Sequence, residues 1–121
     1  MDKLIRDAME HGDGQITLAR FMEIALYDPT HGYYMAAERK PGRGGDFLTS
    51  PEASPLFGIT LARQIVEFWE RLGSPPKFDI REYGSGVGGL AYDILAGIDS
   101  ESSACFDATT YNLAERNRHR Q

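Results

Sequence analysis

The chain has 121 residues, 41% apolar and 26% charged, with a formal net charge of −5 at neutral pH. That balance suits a folded domain, and the acidic excess argues against general affinity for a phosphate backbone or an anionic membrane. A single cysteine, Cys105, excludes an internal disulfide, and no apolar run reaches bilayer-spanning length.

The N-terminal residues Met1 to Arg6 lack the apolar stretch of a secretory signal, and they are not an acid-poor, Arg- and Ser-rich transit helix. A cytoplasmic location is the expectation. The first element reads as a short helix over Asp2 to Glu10, closed by His11-Gly12-Asp13-Gly14. A second helix follows Thr17, whose hydroxyl suits an N-cap, with Leu18, Phe21, Met22, Ala25 and Leu26 at helical spacing. Tyr27-Asp28-Pro29 stops it, because the residue before proline is pushed out of the helical region.

From His31 to Pro55 the chain reads as irregular, through His31-Gly32-Tyr33-Tyr34, Lys40 to Phe47 and Thr49-Ser50-Pro51-Glu52. A connection this long inside a domain usually serves as a lid or binding segment. The clearest helix is expected from Pro55 to Leu72, capped by Ser54 with Pro55 as first helical residue. Leu61, Ile65, Phe68, Trp69 and Leu72 would form its apolar face, and Gly73 with Pro75-Pro76 would end it. A strand over Phe78 to Tyr83, a glycine turn, a helix from about 89 to 96 and a weak strand over about 110 to 114 complete the chain. This order is the opening βαβ unit of an open α/β sheet.

Glu82-Tyr83-Gly84-Ser85-Gly86-Val87-Gly88-Gly89 leaves the strand and enters the helix. Glycines there allow a tight turn and close approach of a ligand to the main chain, and the helix N-terminus favours a polar or anionic group. Gly84, Gly86 and Gly89 match the G-x-G-x-x-G dinucleotide fingerprint, which by itself is a weak signal. Glu82, Gly84, Gly86 and Gly88 also match the E-x-G-x-G-x-G loop of Rossmann-like methyltransferases. A carboxylate beside the glycines suits the cationic end of S-adenosylmethionine and repels a pyrophosphate. For the acid that binds ribose hydroxyls, spacing leaves both Asp107 and Glu115 open.

A wider pattern carries a family resemblance. Ile16 to Pro29 followed by His31-Gly32-Tyr33-Tyr34 resembles the N-terminal signature of the MidA-like methyltransferases, whose members include a mitochondrial complex I assembly factor that methylates protein arginine. Gly42-Arg43-Gly44-Gly45-Asp46-Phe47-Leu48-Thr49-Ser50-Pro51-Glu52, with Ser54 to Gly58 after it, is similar to that family's second segment. The resemblance implies an α/β Rossmann-like methyltransferase fold, incomplete here, with a helical N-terminal extension before the first βαβ unit. Residues 1–76 would be the helical and loop region, and 77–121 the start of the methyltransferase domain, cut short after its second strand. It further implies S-adenosylmethionine as cofactor, held by Glu82, Gly84, Ser85, Gly86 and Gly88, with Glu115 on the ribose. Arg43, Gly44, Gly45, Asp46, Phe47 and Thr49 would form a substrate or lid loop. The implied partner is a protein, methylated on arginine, and no nucleic acid or membrane is expected.

Arg81 departs from the family, since a central parallel strand should be nearly continuous in apolar residues. The lone Arg43-Gly44-Gly45 does not make an RNA-binding box in an acidic chain. His11, His31 and His119 lack metal-ligand spacing. No catalytic residue is assigned. Methyl transfer is an in-line displacement from a charged sulfonium, so positioning and electrostatics would carry most of the rate. Two other classes stay in view: a non-catalytic interaction fragment with open strand edges, and a dinucleotide-binding oxidoreductase.

Overall fold

The computed structural model of the protein describes residues 1–35 and 48–117. Its first helices match their sequence signals: α1 spans Asp2–Glu10 and α2 spans Leu18–Tyr27. The Thr17 hydroxyl accepts the Arg20 amide at 3.2 Å, one of the four amides a helix start leaves without a partner. Over residues 28–35 the chain forms defined turns. Asp28 Oδ1 accepts the amides of Thr30 (3.0 Å) and His31 (2.8 Å), closing a turn. Those bonds, the His31 amide first, hold the Asp28 carboxyl below its ordinary pKa. Gly32 is required here, because a Cβ on it would lie 2.5 Å from the Asp28 nitrogen. A 3-10 turn follows over Tyr33–Met35. The Tyr34 ring stacks on Tyr27 and meets Tyr33 edge-on, while the buried Asn117 amide donates to the Tyr34 carbonyl at 2.6 Å.

Two compact units divide the chain. One holds α1, α2, the 3-10 turn and Asn117; the other holds the helices and strands between residues 50 and 116.

The second unit begins with α3, Ser50–Ala53, in a stretch the sequence suggested was irregular. Glu52 Oε2 accepts the Thr49 amide at 3.1 Å and the Thr49 hydroxyl at 2.9 Å, forming a capping box. Helix α4, Leu56–Arg71, has Pro55 at its cap position and not inside the helix, while Ser54 Oγ takes the Leu56 amide at 3.2 Å. Its buried face keeps part of the expected set, with Trp69 buried and Leu61 and Ile65 packed against the core, and differs in the rest. Gly58, Ala62, Val66 and Trp69 are buried, whereas Phe68 is 55% and Leu72 68% exposed. Backbone proximity explains the rotation of the face. A Cβ on Gly58 would lie 2.5 Å from Asp93 Cβ, and one on Gly97 would lie 2.6 Å from Ala62 Cβ. Small residues let α4 pack closely on α5, and that contact outweighs the larger side chains one step around the helix.

Strand β1, Phe78–Tyr83, lies parallel to β2, Thr109–Ala114, in a register running from Phe78↔Thr109 to Tyr83↔Ala114. Helix α5, Gly89–Glu101, makes the crossover and is longer than expected. A further helix, α6 over Ser103–Ala108, lies between α5 and β2, where the sequence signals named no element. The Ser102 side chain caps it by accepting the Cys105 amide at 3.2 Å. The core comprises Ala62, Val66, Trp69, Ile94, Ile98 and Cys105, with Phe78, Ile80 and Tyr111 packed against it. Trp69 Nε1 donates to the Pro75 carbonyl at 2.9 Å, so its polar edge is satisfied where its ring is buried. Arg81 now has its account. Exposure alternates along β1, placing Phe78, Ile80 and Glu82 on the helix-covered face and Asp79, Arg81 and Tyr83 in solvent.

Candidate functional site

Parallel strands end together, so Tyr83 and Ala114 bring the segments after β1 and β2 to one edge of the sheet. In open α/β sheets ligands bind outside the carboxyl ends of the strands. Here that edge carries the glycine turn. Gly84, Gly86 and Gly88 have φ of +73°, +57° and +79°, a left-handed alternation that only glycine adopts without strain. At Gly84 and Gly86 side-chain atoms leave the turn open, since a Cβ on either would meet nothing within 4 Å, whereas one on Gly88 would touch Leu113 Cδ1 at 3.5 Å. The main chain is thus bare on that side, as a ligand lying against it requires.

The turn is fixed internally. The Gly84 amide donates to the Ala114 carbonyl at 2.7 Å, continuing the strand ladder by one bond. The Gly88 amide returns to the Ser85 carbonyl at 2.9 Å, and Ser85 is itself buried. Gly88 then serves as N-cap of α5 in the left-handed conformation, with no side-chain cap on the helix start. That end carries a partial positive charge.

Two acids frame the turn. Glu115 follows β2 directly, and its Oε2 accepts the Gly86 amide at 2.8 Å. Glu82, at the end of β1, accepts the Tyr111 hydroxyl on Oε2 at 3.0 Å. Burial first and the Glu82 carboxylate second push the Tyr111 phenol well above its ordinary pKa. Tyr111 was not singled out by sequence; an aromatic residue two register positions before the partner of Glu82 was the available signal.

The structure thus brings Glu82, Gly84, Ser85, Gly86, Gly88 and Glu115 to one sheet edge. Asp107, the alternative acid, lies exposed within α6, before β2 begins. Of the expected loop set, Arg43, Gly44, Gly45, Asp46 and Phe47 lie outside the described residues, while Thr49 caps α3. A shallow cleft between α4 and α5, lined by Ile59, Arg63, Gly97 and Glu101, contains none of these turn residues.

Bare left-handed glycines and flanking carboxylates fit S-adenosylmethionine, whose sulfonium and ammonium are cationic and whose ribose offers two hydroxyl donors. Glu82 is the carboxylate that discriminates against a dinucleotide pyrophosphate, since an acid after the second strand serves the ribose in either case. Comparison with known proteins agrees. Residues 60–121 match the family described as "Putative S-adenosyl-L-methionine-dependent methyltransferase", a stretch containing β1, the turn, α5 and β2. Over 82 residues, 68% of this chain, it is 44% identical to "Protein arginine methyltransferase NDUFAF7 homolog, mitochondrial" of Drosophila melanogaster. It is 43% identical to the Mus musculus and 40% to the Homo sapiens "Protein arginine methyltransferase NDUFAF7, mitochondrial" over the same length. The aligned part is 18%, 19% and 18% of those three proteins, so the chain spans under a fifth of the curated relatives it matches. Their names say mitochondrial and lend no support to the cytoplasmic location expected from the N-terminus. Among the described residues no helix is long and apolar enough to cross a membrane. The chain belongs to the S-adenosyl-L-methionine-dependent methyltransferase family, and its strands and helices are consistent with the opening of a Rossmann-like fold.

Proposed function

We propose that this chain supplies the cofactor-binding half-site of a methyltransferase that moves a methyl group from S-adenosylmethionine to arginine of a protein. The observation that carries the cofactor part is the glycine turn open between Glu82 and Glu115. The arginine acceptor rests on the printed names of the relatives and on nothing in the site itself. In this reading Gly84, Ser85, Gly86 and Gly88 bring bare backbone to the cofactor. Glu82 faces the cationic methionine end and Glu115 the ribose, where a carboxylate can accept from both hydroxyls. The cofactor supplies an activated methyl group on a sulfonium. The protein contributes orientation and a local negative field that matches the bound cation.

Transfer of isotopic methyl from S-adenosylmethionine to protein, followed by acid hydrolysis and amino-acid analysis, tests the proposal. Label in methylated arginine supports it. Label confined to lysine or to a small molecule contradicts the acceptor and leaves the cofactor site standing.

A further inference from the structure

Glu82 stands at the end of β1 with a flexible side chain, and a carboxylate that must meet a cation gains from being held in place before the ligand arrives. The sheet supplies the means. Because β1 and β2 run parallel in unbroken register, Ile80 pairs with Tyr111 and Glu82 with Leu113. Tyr111 sits on the helix-covered face against the core, so packing fixes its ring. Its hydroxyl reaches diagonally along the strands and donates to Glu82 Oε2 at 3.0 Å. Glu82 Oε1 makes no hydrogen bond among the described residues and stays available. A second bond of the same span, Glu115 to the Gly86 amide, holds the turn itself. Strand β2 and the residue that follows it therefore hold both parts of the motif that β1 begins.

The geometry points to Tyr111 as a positioning residue that holds the Glu82 carboxylate towards the methionine end of the cofactor. The inference rests on the cofactor reading above and extends it to a side chain with no assigned role. A rigid, hydroxyl-bearing ring suits the task because it gives one charge-assisted bond with little rotamer entropy lost. Its phenol stays protonated at neutral pH, so the donor is always present.

Titration calorimetry with two probes tests this. S-adenosylhomocysteine carries the amino-acid end that Glu82 would meet, and methylthioadenosine lacks it. Tyr111→Phe keeps the packed ring and should weaken S-adenosylhomocysteine about tenfold, the scale of one hydrogen bond to a charged group, with methylthioadenosine unchanged. In a Glu82→Gln background the same substitution should cost much less, as coupling between the two residues requires. Equal loss for both probes, or no loss for either, overturns the role of Tyr111. In those two cases Gly86→Asp still abolishing binding would leave the cofactor site intact, and wild-type binding to neither probe overturns both. A measurement free of substitutions is the H/D isotope shift transmitted from the Tyr111 hydroxyl to the Glu82 carboxyl carbon. Its presence supports the bond; its absence removes the basis of the inference.

Discussion

The Gly86 amide and the Glu115 carboxylate are joined by a 2.8 Å hydrogen bond between residues 29 apart in sequence. One oxygen of the proposed ribose acid thus also fastens the turn that would lie beneath the cofactor. This makes Glu115 structural as well as functional, and the two contributions are separable. Glu115→Gln keeps an acceptor for the amide and should change stability by less than about 0.5 kcal/mol. Glu115→Ala removes it and should cost about 1 kcal/mol in urea unfolding, at the modest end because the group is half-exposed. Both should weaken S-adenosylhomocysteine.

Backbone conformation and steric room can be distinguished at the glycines. Gly84→Ala meets open space but must hold φ near +73°, so the expected loss is about 1–2 kcal/mol from left-handed strain. Gly97→Val has ordinary helical backbone but drives its Cβ to 2.6 Å from Ala62 Cβ. Overpacking should cost about 1–3 kcal/mol and lower the denaturant midpoint. An unchanged denaturant midpoint in Gly97→Val would contradict the close α4–α5 packing.

Alkaline stability should report Tyr111. Its folded pKa lies above the unfolded value near 10, so its contribution is fully present below that pH. As pH rises further the unfolded phenol loses its proton while the folded one keeps it, and stability falls. Glu82→Gln removes the carboxylate's charge while keeping an acceptor for the phenol, and should narrow this window without closing it, since burial is the largest cause. The Tyr111 ring-carbon shift, followed by NMR against pH, checks this directly.

Cys105 is fully buried and burial raises its thiol pKa. Native protein should therefore react with iodoacetamide far more slowly than urea-unfolded protein. Equal rates would contradict the placement of α6 against the core.

Much of this arrangement was legible in the sequence for identifiable reasons. Thr17, the glycines at 84, 86 and 88, and the β-prone run at 78–83 act locally, and local signals survive folding unchanged. On α4, Leu61, Ile65 and Trp69 face the core as their spacing implies, whereas Phe68 and Leu72 are exposed and the small Gly58 and Ala62 are buried in their place. Close helix approach depends on what a neighbour lacks, and a single segment does not display it. Helix α6 was missed since Ala104-Cys105-Phe106 is too short for periodicity, and its cap, Ser102, stands among other polar residues. Choosing Glu115 over Asp107 needed the family resemblance, because spacing alone admitted both. The Tyr111–Glu82 bond depends on strand register, which appears only once β1 and β2 are paired.

The central claim is that the open turn at residues 84–88 receives S-adenosylmethionine. Calorimetric titration of S-adenosylhomocysteine, with NAD as the competing ligand, tests it most directly. Saturable S-adenosylhomocysteine binding that Gly86→Asp eliminates is expected, with no comparable affinity for NAD. Tighter binding of NAD, or S-adenosylhomocysteine binding indifferent to Gly86→Asp, would contradict it.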